Sequence, residues 1–455
     1  MSDEILPEKR HFDSGSETGS ETDGNQYYDK PGRIFEGNKQ LGICGLSNLG
    51  NTCFMNSALQ CLANVPQLVE FFVSGQYHSQ INKSNKKTRG GAVAKEFGKL
   101  VQQMWCGDHD SLAPWKFRSE ITEIAPDFKG HHQHDTQEFT MFLLDGLHDD
   151  LNRAKKEESL PNREYGPEIP HKEYKCSFFL SGAPLGSMSL RMSMFFSIVT
   201  DLFHGQLKST TICKNCSAES VTFDPFCYLS LPLPLPPITT RNWFYGPKEP
   251  KEQEVSISEC LRNFTEPEQI ESWQNSPYYL FSFCFRRSCQ CGFKLCEKTL
   301  NIWRLPEILV IHLKRYQFVG SAMMKIGTFI KFALKDFNLE DATANSEERH
   351  QLYELISATC HTGSLTDGHY KAYVLKDAWR IISDRTVTNG PDVNLREASS
   401  GDVYMLYYQK IAPLSRHTGS DGMSSGNDDN YDKMFESSDE DQPQISAKVC
   451  PAYIG

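Results

Sequence analysis

Along the chain, apolar residues first recur at helical spacing and later alternate at strand spacing. Phe54, Ala58, Cys61, Leu62 and Val65 share one face of a predicted helix, and Pro66 closes the run. Residues 91–105 (GAVAKEFGKLVQQMW) predict a second helix, with Val93, Phe97, Leu100, Val101 and Met104 on one side. A third begins near Asp135 and carries Phe139, Phe142, Leu143, Leu147 and Leu151. After about residue 200 the pattern turns strand-like: LVIHL at 309–313, YKAYV at 370–374 and VYMLYY at 403–408. Helices first and strands later predict an α+β protein. The Pro-rich LPLPLPP, 231–237, reads as an extended strand edge rather than a ligand for a polyproline-binding module.

The ends differ from the middle. Residues 11–30 (HFDSGSETGSETDGNQYYDK) and the stretch after Pro413 are polar, Gly/Ser-rich and acidic. Neither offers enough apolar surface to offset its ordering entropy. Residues 1–40 and 412–455 are therefore expected to be disordered acidic tails around an ordered part at 41–411. Within the second tail, Ser437 and Ser438 precede Asp439, Glu440 and Asp441, a setting that suits an acid-directed kinase.

Composition adds limits. Of 455 residues, 39% are apolar and 11% aromatic, enough for a sizeable core. No run approaches the roughly 20 apolar residues of a membrane helix, so no membrane partner is expected. The start, MSDEILPEKR, lacks the apolar region of a secretory signal. The expected location is cytoplasmic, with the nucleus as a second compartment. Fifteen cysteines in a reducing compartment are thiols, metal ligands or nucleophiles. The net charge of −11 argues against nucleic acid and fits a basic protein partner.

The most informative run is GLSNLGNTCFMNSALQCL, residues 45–62. Cys53 falls where the helical periodicity begins, facing the positive end of a helix dipole and unpaired N–H groups. Both favour thiolate. Asn48, five residues earlier, can reach across the turn as an amide donor to an oxyanion. Cys61 reads as a buried structural thiol. A thiolate nucleophile needs a base, and His369, after Gly368 and ahead of an alternating apolar strand, is placed to face a cleft.

These runs resemble a known family. GLSNLGNTCFMNSALQ resembles the cysteine box of ubiquitin-specific proteases, and HTGSLTDGHYKAYV resembles their histidine box. QHDTQEF (133–139), VTFDPFCYLSLPLP (221–234), LPEILVIHLKRY (305–316) and VYMLYY follow in the family order, so the likeness covers about residues 41–411. It implies a papain-like cysteine protease core with a helical thumb (about 41–170), β fingers (171–300) and a β-rich palm (301–411). It also implies hydrolysis after the C-terminal glycine of ubiquitin, with ubiquitin and ubiquitinated proteins as partners and no cofactor for catalysis. Cys53 matches the nucleophile, His369 the base and Asn48 the oxyanion donor. His361 matches a histidine on a loop beside the active site. Asp135 and Glu138 match acidic residues that bind ubiquitin's basic tail, and they also form a capping-box pattern.

Two departures stand out. Where the family has Asp or Asn four residues after a Trp, WRIISD places Ser383, followed by Asp384. Ser383 can accept from His369 without offsetting imidazolium charge, and Asp384 is the other candidate for the orienting role. This substitution keeps open a ubiquitin-binding pseudoenzyme, beside a peptidase for another ubiquitin-like modifier. Second, the fingers of the family hold structural zinc on two C-x-x-C pairs. Cys213 and Cys216 supply one, but Cys289 and Cys291 are spaced C-x-C, with Cys284 and Cys296 nearby.

Overall fold

The first predicted helix folds as Cys53–Leu62, and all ten of its residues are buried. A helix enclosed on every side must pair its polar groups with other elements. Gln60 Nε2 donates to the Cys44 carbonyl at 2.7 Å, and Asn64, just past the helix end, donates to the Ile356 carbonyl at 2.8 Å. Leaving such a group orphaned costs about 1–3 kcal/mol. Pro66 does not close this helix but opens the next one, Pro66–Val73. At a first helical position its missing N–H is no loss. The other two predicted helices appear as Ala92–Trp105 and Thr136–Asp150. A further helix, Trp115–Ile124, buries only Phe117 and Ile121, too thin a stripe to stand out in the sequence.

The computed structural model describes residues 41–153, 197–234, 254–271, 295–319, 322–364, 367–390 and 401–411. Both tails, with Ser437 and Ser438, lie outside them, as do Cys289 and Cys291. Among the described residues no helix is long and apolar enough to cross a membrane. Short helices Ile198–Phe203 and Ile257–Thr265 fall among the later strands, so helices and strands are not strictly segregated along the chain.

Helices Cys53–Leu62, Ala92–Trp105 and Thr136–Asp150 share a core with one face of an eight-stranded sheet, and Ile257–Thr265 packs into the core on its other face. Its strand order is Thr386–Asn389, Trp379–Ser383, Gly368–Leu375, Leu352–Gly363, Val403–Lys410, Ile308–Lys314, Leu229–Pro232, with Phe337–Asn338 also on Leu352–Gly363. Val403–Lys410 begins with six buried residues. Tyr404, Met405 and Tyr407 pack into the helical core, while Val403, Leu406 and Tyr408 pack into a second core on the other face. Leu229–Pro232 pairs in parallel with Ile308–Lys314 at the sheet edge, where proline is tolerated.

A separate antiparallel sheet runs Glu219–Phe226, Gly205–Cys213, Leu295–Arg304, Glu268–Glu271. Cys213 lies opposite Cys296 across this ladder, and Cys216 sits in the turn that follows. Among the described residues, no group of three or more His, Cys, Asp or Glu side chains is arranged to hold a metal.

Candidate active site

The candidate site forms where the buried helix Cys53–Leu62 packs against the strand Gly368–Leu375. The turn that delivers Cys53 is tied by a side chain: Asn48 Oδ1 accepts from the N–H groups of Gly50 (3.0 Å) and Thr52 (3.1 Å). Cys53 is the first residue of its helix and is 3% exposed. The Tyr370 backbone, on the strand that packs against this helix, lies close enough to the Cys53 sulfur to favour the charged form. Tyr370 is the residue after His369, so the strand that carries His369 runs beside the helix that starts at Cys53.

The expected depression of the Cys53 pKa is not found. Burial pushes the thiol up, and the charge of Asp384 adds to it, while the backbone N–H groups pull it down. Desolvation outweighs the helix terminus in the free chain. Cys61, the expected structural thiol, is fully buried and its pKa is also raised by burial.

His369 is half-buried, with Nε2 2.9 Å from Ser383 Oγ. Asp384 does something else. Its Oδ2 accepts from Asn48 Nδ2 (3.0 Å) and its Oδ1 from Asn56 Nδ2 (2.7 Å). Ser383 pairs with Thr386, so Asp384 and Arg385 form a two-residue hairpin loop, with Asp384 at φ +50°. The loop docks on the segment before Cys53: Leu46 N–H donates to the Asp384 carbonyl (2.8 Å), and Arg385 Nε donates to Ser47 Oγ (2.7 Å). A Cβ on Gly45 would sit 2.2 Å from the Arg385 carbonyl oxygen, so this approach requires glycine. The sequence left Ser383 and Asp384 as alternatives for one task; the geometry gives them two.

His361 lies within the strand Leu352–Gly363 rather than on a loop, and is 2% exposed. Its Nδ1 is 2.7 Å from the Tyr316 hydroxyl, and its ring lies under Gly368, where a Cβ would meet Nε2 at 2.2 Å. Burial pushes its pKa down to about 4, helped by Lys325. Asp135 caps its helix, accepting from Gln137 N–H at 2.7 Å, and its other oxygen accepts from the Tyr404 hydroxyl. Burial raises the Asp135 pKa, against those hydrogen bonds. Glu138 is exposed and makes no return bond, so the capping box is half formed. Asp135 and Glu138 line an open cleft of about 350 Å³ with Asp145, Cys227 and Tyr228. There Asp145 is pushed up to about 6 by burial and by Asp149.

The residues 44–408 match the family profile described as ubiquitin carboxyl-terminal hydrolase. The chain belongs to that family. It is 34% identical to ubiquitin carboxyl-terminal hydrolase 2 of Homo sapiens over 393 residues, 85% of this chain and 58% of that protein. It is 42% identical to ubiquitin carboxyl-terminal hydrolase 15 of Xenopus tropicalis over 219 residues, 46% of this chain and 20% of that protein. This chain therefore spans less than two thirds of the length of these relatives. Among solved structures, a chain of the SAGA DUB module bound to monoubiquitin matches with a TM-score of 0.59 at 22% identity, covering 84% of this chain and 72% of that one. The papain-like α+β architecture of ubiquitin-specific proteases is thus the fold of this family member.

Residues that sequence reasoning missed share one trait: their partners are far away along the chain. Asn56 sits inside the quoted cysteine run, yet nothing local separates it from any polar residue on a buried helix. Gln133 donates to the Gly368 carbonyl and accepts from its N–H, a pairing across 235 positions. Only the folded chain exposes such contacts.

Proposed function

We propose that this ubiquitin carboxyl-terminal hydrolase family member is a deubiquitinating cysteine peptidase, acting on ubiquitin joined to proteins through its terminal glycine. The observation that carries this reading is the packing of the helix that starts at Cys53 against the strand that carries His369, whose Nε2 lies 2.9 Å from Ser383 Oγ. Burial raises the Cys53 pKa and so favours the thiol at rest. His369 takes its proton, and with Nε2 on Ser383 the ring has Nδ1 for this transfer. The sulfur forms a bond to the glycine carbonyl carbon. Asn48 keeps one amide N–H on Asp384 and offers the second to the oxyanion. When the intermediate collapses, the carbon–nitrogen bond breaks and His369 protonates the leaving amine. His369 then takes a proton from water, which attacks the thioester and releases ubiquitin's carboxylate and the Cys53 thiol.

Asp135 and Glu138 are assigned to the basic tail of ubiquitin, supported by the acidic cleft they line. His361 serves the site through Gly368. The helical part, about 41–170, is the thumb, 171–300 the fingers and 301–411 the palm. Cys213, Cys216, Cys289 and Cys291 are assigned to a structural zinc ion. The knuckle turn from Cys213 to Cys216, with Cys296 across the ladder, supplies thiolate chemistry suited to it. Bound zinc would clamp the ends of the finger strands. The expected compartments are cytoplasm and nucleus.

Ubiquitin bearing a C-terminal electrophile tests the activity. A covalent adduct on the wild type, absent from Cys53→Ala, supports it. Tight ubiquitin binding without any adduct would replace it with the pseudoenzyme. Less than about half a zinc per purified chain would remove the metal assignment.

A further inference from the structure

Gly368, the residue before His369, is gripped by a side chain from the opposite wall. The ladder between Gly368–Leu375 and Trp379–Ser383 runs only as far as Ala372 opposite Ile382. Before that point the strand carrying His369 has no strand neighbour on this side among the described residues. Gln133, from the loop ahead of the helix Thr136–Asp150, takes the place of one. Its Nε2 donates to the Gly368 carbonyl at 2.9 Å, and its Oε1 accepts from the Gly368 N–H at 3.1 Å. A primary carboxamide presents a donor and an acceptor side by side, as a peptide group on a neighbouring strand would. Against the Cα of Gly368 lies the ring of His361. The backbone entering His369 is thereby fixed on two sides, and Ser383 fixes the far nitrogen of its ring.

We infer that Gln133 is a positioning residue for His369, holding the base in register with Cys53 by standing in for a missing strand at Gly368. The inference rests on the Cys53–His369 chemistry proposed above. A reacting group displaced by about 1 Å can lose about a hundredfold in rate, so two hydrogen bonds at the adjacent peptide matter to turnover more than to stability.

The test uses the full chain with Gln133→Met, which keeps length and loses both bonds, and Gln133→Glu, which keeps only the acceptor. Hydrolysis of ubiquitin carrying a fluorogenic C-terminal amide should show kcat down at least about tenfold for Met, with KM within about twofold and Glu between Met and wild type. The pH profile of Cys53 alkylation by iodoacetamide should move to higher pH in the Met variant as the thiol loses its aligned imidazole. Three results would each overturn the inference: an unchanged kcat with a raised KM, a faster variant, or an unmoved alkylation profile. If Gln133→Met fails to fold, Gln133→Glu decides by the same readouts. If the wild type does not hydrolyse the substrate, the functional reading fails, and the alkylation profile alone decides the role of Gln133.

Discussion

The two largest sheets among the described residues are built to different tolerances. In the eight-stranded sheet, Ile308–Lys314 and Val403–Lys410 each hold six consecutive buried residues, covered on both faces. In the four-stranded sheet, Glu219–Phe226 buries only Phe226, and Ile212 and Val221 are exposed. The first sheet packs against the helix of Cys53, and its strand ends carry His369 and Ser383. The second presents a surface. Position along the chain says little about this; cover on one face or two says most of it.

The contrast can be broken or sharpened by substitution. Cys53→Ala should abolish turnover, by about 10⁴-fold or more, with the melting temperature preserved. Retained hydrolysis would move the nucleophile elsewhere. Gly368→Ala should lower kcat by about a hundredfold, because the new Cβ meets the imidazole of His361, which is 2% exposed and has nowhere to go. Normal kcat in that variant would mean the strand start is looser than its packing.

Asp384→Asn separates two jobs of one carboxylate. Losing an acceptor for Asn48 or Asn56 should slow turnover about tenfold. Losing the negative charge that raises the Cys53 pKa should speed alkylation of Cys53 at pH 7 by a few-fold. Both rates falling together would contradict this split.

The next effect is on stability. His312, in the same sheet, is pushed down to about 4 by burial, with Nδ1 2.8 Å from Ser230 Oγ. Below about pH 6.5 the unfolded chain takes up this proton before the folded one does. His312 therefore supports stability fully above about 6.5 and loses that support as pH falls toward 4. His312→Gln should flatten the slope of unfolding free energy in that window by up to about 1.4 kcal/mol per pH unit. An unchanged slope would show that His312 titrates normally. Smallest of all, Val221→Thr on the open sheet should change stability by no more than about 0.5 kcal/mol, as read from chemical denaturation.

How legible all this was in the sequence depends on range. Helices at 92–105 and 136–150 and the strands around LVIHL, YKAYV and VYMLYY follow from local periodicity, because their apolar faces meet a core directly. Cys53 and His369 emerged from local settings and from family likeness. The upward shift of the Cys53 pKa did not: a helix N-terminus is visible in a sequence, while the burial that outweighs it is a property of the packed chain. Ser383 and Asp384 are adjacent, so sequence left their roles open; the hairpin loop and its φ of +50° at Asp384 send them to different partners. Pro66 misled because a proline that ends one helix and one that begins the next look alike without the chain's path.

That hairpin loop carries one more implication. Ser383 and Thr386 pair across two residues, and both of those residues dock on the segment entering Cys53. Loop length is usually the most freely varied property of a protein surface. Here it is locked. One residue added between Ser383 and Thr386 would change the turn type and lift Asp384 from Asn48 and Asn56 while leaving every named residue in the chain. A homologue with all its catalytic side chains but a longer turn at this place should be read as misaligned until its turnover has been measured.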